Sequence, residues 1–123
     1  MELHPKIKFI PESYFLASEE VRKLVINGCG AGGWKIDIVP DTIYGLNITE
    51  ECNIHDWMYD QGSTEEDKAF ADKVLLHNLL VKINDAFVLL RPLRRIRAYE
   101  YYEAVKLFGN SAFWANKETS NVG

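Results

Sequence analysis

Cys52-Asn53-Ile54-His55-Asp56-Trp57-Met58-Tyr59-Asp60-Gln61-Gly62-Ser63-Thr64-Glu65-Glu66-Asp67 reads as the end of one helix, a tight turn at Gly62 and the start of a second helix. Ser63 followed by Glu66 has the form of a capping box, in which serine hydroxyl and glutamate side chain each satisfy an orphaned backbone N–H. Helices joined by so short a turn lie antiparallel, so residues equally far from the bend face each other. With the bend at Gln61, His55 and Asp67 are equidistant from it, and a rise of ~1.5 Å per residue puts both roughly 9 Å away. The spacing therefore predicts an imidazole within hydrogen-bond reach of a carboxylate. Tyr59 shares the His55 face, one turn on, while Asp56 points about 100° away around the helix.

The same helical signals extend outward on both sides. Ser18-Glu19-Glu20 before Val21 and Leu24-Val25-Ile26 predicts a capped helix stopped at Asn27-Gly28. Cys29-Gly30-Ala31-Gly32-Gly33 follows, a loop whose glycines free the backbone to turn carbonyls around a cation or N–H groups around an anion. Ile36, Ile38 and Val39 suggest a short extended piece ended by Pro40-Asp41, and Thr49-Glu50-Glu51 caps the His55 helix. Its partner runs from Ser63 towards Val88, with a break at Asn84-Asp85, and Phe70, Val74, Leu75, Leu79, Ile83 and Phe87 form its core stripe. A third helix starts near Pro92 and stops at Gly109-Asn110, burying Ala98, Tyr101, Tyr102, Val105 and Phe108. Residues 1–12 read as an irregular arm and 118–123 as a frayed tail, so the expected organisation is one all-α domain over 1–123.

Composition bounds the function. The 123 residues are 47% hydrophobic, enough for a core, and carry a net charge of −4, which offers nucleic acid no general attraction. No apolar run is long enough to span a bilayer, and the N-terminus lacks the pattern of a secretory signal. Arg91-Pro92-Leu93-Arg94-Arg95-Ile96-Arg97 is a local basic cluster, read either as a solvated helix start or as an anion or lipid-headgroup patch. Trp34 and Trp57 suit either an interfacial rim or core packing, and Trp114 suits packing of the C-terminal segment.

These pieces resemble the secreted, calcium-dependent phospholipases A2. Cys29-Gly30-Ala31-Gly32-Gly33 is similar to the family's calcium loop, and Cys52-Asn53-Ile54-His55-Asp56-Trp57-Met58-Tyr59 to its catalytic helix. Asp67-Lys68-Ala69-Phe70 is similar to the acid-basic-Ala segment of the facing helix, and Tyr101 to Gly109 to the closing helix of the bacterial branch. The resemblance implies that fold, with two antiparallel helices carrying a His/Asp dyad beside the glycine loop. It implies calcium-dependent hydrolysis of the sn-2 ester of glycerophospholipids, with a phospholipid or membrane interface as substrate. His55 would then activate water, Asp67 hold its tautomer, and Tyr59 bond to that carboxylate. Calcium would be held by the Asp56 carboxylate and the carbonyls of Gly28, Gly30 and Gly32, with the Gly30 N–H joining the ion at the oxyanion. A Cys29–Cys52 bridge would tie loop to helix and add ~3 kcal/mol in the chain-entropy model; two reduced core thiols are the other reading. Met58 stands where the family often has a half-cystine.

The chemistry suits those roles. An imidazole, unperturbed near ~6.5, can take a proton from water, and a carboxylate behind it fixes the tautomer. A single carboxylate gives a weak calcium site, ~10⁻⁴ to 10⁻³ M, which favours extracellular action. Two rivals stand beside this reading: a catalytically silent module of the same fold, such as a phage, toxin or effector component, and a phosphohydrolase using His55-Asp56 as a metal doublet. The second needs more ligands than His4 and His77 supply.

Overall fold

The computed structural model describes residues 3–25 and 42–114. The expected glycine loop, the extended piece at 36–39 and the frayed tail lie outside them.

An irregular arm leads into α1 (Glu12–Leu16) and α2 (Glu19–Val25), whose start is marked as expected by the Ser18 hydroxyl accepting from the Val21 N–H at 3.3 Å. Two short strands follow, β1 (Thr42–Ile43) and β2 (Leu46–Asn47), paired antiparallel with Thr42 opposite Asn47 and Ile43 opposite Leu46. Their turn places Tyr44 at φ 47° and Gly45 at φ 82°. Two successive left-handed residues match the twist of a two-residue hairpin, and glycine occupies one of them without strain.

Two long helices then form the expected hairpin. The first, α3 (Thr49–Gln61), is begun not by Thr49 but by Asn47, whose side-chain oxygen accepts the Thr49 N–H at 2.8 Å. The second, α4 (Glu65–Asp85), starts from a capping box shifted by one residue from the expected one. Thr64 is its N-cap and Asp67 the reciprocating acid: the Thr64 hydroxyl accepts the Asp67 N–H at 3.0 Å and Asp67 accepts the Thr64 N–H at 3.2 Å. A 3₁₀ turn (Val88–Leu90) bends the chain into α5 (Arg91–Phe108), with Pro92 in its first turn and Gly109 after its end, and a further helical turn covers 110–114.

The three helices enclose the core. Ile43 and Ile48 pack with Leu75, Leu79, Ile83, Ala98, Tyr101 and Val105, so the small hairpin closes the cleft between α4 and α5. On the other side, Ile54, Trp57 and Val74 pack with Tyr14 and the arm's Phe9. Trp57 is thus core, its indole N–H donating to the Ser13 hydroxyl at 3.0 Å and its ring meeting Tyr14 edge-on at 5.7 Å. Phe87 and Phe108, both expected in the core, are exposed, each lying at or beyond the end of its helix. No helix among the described residues is long and apolar enough to cross a membrane.

Candidate active site

His55 and Tyr59 lie one turn apart on the inward face of α3, their ring centroids 4.1 Å apart. Across from them α4 presents Lys68 and Asp72, also one turn apart, both buried. All four meet at a single carboxylate. His55 Nε2 lies 2.8 Å from Asp72 Oδ1, the Tyr59 hydroxyl donates to the same oxygen at 2.5 Å, and Lys68 Nζ donates to Oδ2 at 2.8 Å. Lys68 also donates to the Val105 carbonyl at 3.2 Å, which ties the cluster to α5.

Asp72 therefore takes the place that sequence spacing assigned to Asp67. The Asp67 carboxylate is exposed and accepts the N–H groups of Ser63 at 2.8 Å and of Thr64. The reason is the centre of the bend. With α3 ending at Gln61 and α4 beginning at Glu65 it falls at Ser63 rather than at Gln61, so His55 lies eight residues before it, Asp72 nine beyond it and Asp67 only four. One signal could have located the pair: Lys68 and Asp72 occupy the helical spacing of the buried stripe that continues through Leu75 and Leu79, and a charged pair on an apolar stripe needs a buried partner.

Electrostatics follow from this packing. Burial pushes the Asp72 carboxyl up, but the hydrogen bond and charge of His55, with the bonds from Lys68 and Tyr59, outweigh it and hold the group below the usual carboxylate value. Burial, then the Asp72 charge and hydrogen bond, then the Asp56 charge, raise the Tyr59 phenol, which stays a donor. Since an ionised Asp72 only accepts, Nε2 carries a hydrogen towards it, which in the neutral ring leaves the lone pair on Nδ1.

The other expected residues divide. Asp56 is half-buried on α3, and its charge reaches Tyr59. Gly28, Gly30 and Gly32 lie outside the described residues, as does Cys29, while Cys52 is disulfide-bonded. Among the described residues no group of three or more His, Cys, Asp and Glu side chains is placed to hold a metal. His77 is occupied with the Ile7 carbonyl at 2.8 Å, and His4 Nδ1 accepts the Lys6 N–H, so neither joins His55.

Comparison with known proteins brings no significant match to a family model, a curated protein or a solved structure.

Proposed function

We propose that this chain hydrolyses the sn-2 ester of glycerophospholipids, using a water activated by His55 and calcium as cofactor. The observation that supports it best is the buried imidazole–carboxylate pair of His55 and Asp72, in a hairpin whose motifs resemble the phospholipases A2. Asp72 holds the tautomer that leaves a lone pair on Nδ1, the atom that takes the proton of an attacking water. As the ring becomes cationic, the carboxylate against Nε2 stabilises the new charge, the part played by aspartate in a serine triad. Lys68 keeps that carboxylate ionised, and its own charge opposes a second positive charge on the ring.

Asp56 is a hard oxygen donor and fits calcium rather than a softer ion. With no side-chain cluster to complete a site among the described residues, the remaining ligands would be backbone carbonyls, for which Gly28, Gly30 and Gly32 are the candidates. When bound, the ion would offset charge developing on the ester oxygen, in company with the Gly30 N–H.

The test is fatty-acid release from phospholipid vesicles at millimolar calcium. His55→Ala is expected to lower the rate by roughly 10² to 10⁴. No release above background by the native chain, or an unchanged rate in the variant, overturns the proposal.

A further inference from the structure

Helix α5 buries one side and leaves apolar groups along the other. Arg94, Ala98, Tyr101 and Val105 turn into the core, whereas Leu93, Ile96, Tyr99 and Leu107 are 46%, 59%, 52% and 69% exposed. At helical spacing these four share the outward side, and the small Ala104 lets the surface dip between them. Ile96, Tyr99, Ala104 and Leu107 line an open groove of about 740 Å³ there. Contiguous bulky apolar groups on a surface mark a binding site, whereas scattered ones do not.

Charge is ordered along the same stretch. Exposed Arg95 and Arg97 stand before Tyr99, and exposed Glu100 and Glu103 stand at and after it. The bond from Arg95 to the Asn84 side chain, at 2.8 Å, fixes its place and leaves its charge without a counter-ion among the described residues. Arg97 with Glu100 and Lys106 with Glu103 are solvent-exposed pairs at 3.3 and 3.7 Å, worth little and open to exchange. A face that is basic at one end and acidic at the other is complementary to itself turned end for end.

We infer that the groove takes a second copy of this chain, two α5 helices packing antiparallel about a two-fold axis beside Tyr99. Residues equally far from Tyr99 then meet, which sets Arg95 against the partner's Glu103 and Tyr99 against its own mate. Leu93 and the partner's Leu107 close each end. A parallel pairing sets base on base and acid on acid, and so is disfavoured. The helix has 18 residues and is about 27 Å long. One such helix a side buries less than the ~800 Å² per partner of a stable complex, so the dimer is weak, formed at ~100 µM and dissociated near ~1 µM. His55 and Asp72 lie towards the opposite, buried side of α5, where Lys68 meets the Val105 carbonyl. Dimerisation and hydrolysis are therefore separable.

Analytical ultracentrifugation of the full chain across that concentration range measures the association, which should weaken with salt. Ile96→Ser with Leu107→Ser, both exposed in the monomer, should weaken it more than tenfold. Arg95→Glu and Glu103→Arg should each weaken it about fivefold, and the two reversals in one chain should restore it, because the two-fold axis re-pairs them; circular dichroism verifies that each variant is folded. A chain that stays monomeric at ~500 µM, which leaves the groove to some other partner, overturns the inference. So does a dimer that the serine pair leaves intact, or one that the double reversal fails to restore.

Discussion

Asp72→Asn replaces an acceptor of three hydrogen bonds with an amide that also donates, so the His55 ring is no longer held with its hydrogen on Nε2. The expected fall in turnover is about 10⁴, the size seen when a triad aspartate becomes asparagine, measured as fatty-acid release at saturating calcium. Asp67→Ala should instead leave turnover unchanged and lower the melting temperature, since that carboxylate only caps α4. The pH dependence carries a definite sign. The native Asp72 carboxyl titrates below its unfolded value of ~3.9, so the unfolded chain takes up the proton first. Its contribution to stability is whole above ~3.9 and is lost as pH falls through the lower native value. Lys68→Met removes one of the groups holding the carboxyl down, so acid unfolding should begin at a higher pH, with ~1–3 kcal/mol lost at neutral pH from the stranded acceptor; urea titrations across the acid range would measure both. His55, Tyr59 and their common need for a buried acid were legible from spacing on one helix. Which acid answered was not, because that depended on where the bend is centred.

At the scale of elements, helix boundaries were the more legible feature, since capping and breaking are chemistry of neighbours in the chain. Pro92, Gly109 and the halt near Asp85 all stand where local rules put them. The hairpin of β1 and β2 escaped those rules because two-residue strands have no period to read. What holds it is distant: buried Arg94 of α5 donates to the Ile43 carbonyl at 3.2 Å and the Tyr44 carbonyl at 2.7 Å. Arg94→Met should cost ~1.5–3 kcal/mol, the loss of charge-assisted bonds to a buried turn, read as a shifted urea midpoint. Gly109 carries a second demand. A Cβ there would stand 2.4 Å from the Val105 carbonyl and 2.5 Å from the Tyr59 hydroxyl. Gly109→Ala is therefore expected to displace Tyr59 from Asp72 and to lower both melting temperature and turnover, whereas a glycine needed only to stop the helix would affect stability alone.

For the molecule as a whole, the N-terminal arm acts as a strap across α3 and α4. Phe9 exchanges two hydrogen bonds with buried Asn78, at 2.7 and 2.9 Å, and Lys8 reaches the fully buried Glu51 at 2.6 Å. The other Glu51 oxygen is buried with no hydrogen-bond partner, so Lys8 is the group that justifies a carboxylate there. Lys8→Met should destabilise by ~3–5 kcal/mol, as breaking a buried pair does, and the double variant Lys8→Met with Glu51→Leu should recover much of the loss; equilibrium unfolding would measure the coupling. The disulfide at Cys52 anchors the chain just before His55, and a reductant is expected to lower the melting temperature.

Order along the chain was enough to determine an all-α architecture, the His55–Tyr59 face and the helix ends, because each depends on residues within a few turns of one another. Tertiary structure alone decided that Asp72 rather than Asp67 meets the imidazole, that Lys68 and Arg94 are buried cations, and that Trp57 is core. Those outcomes depend on the register of one helix against another, which a shift in the turn between them changes for every facing pair at once.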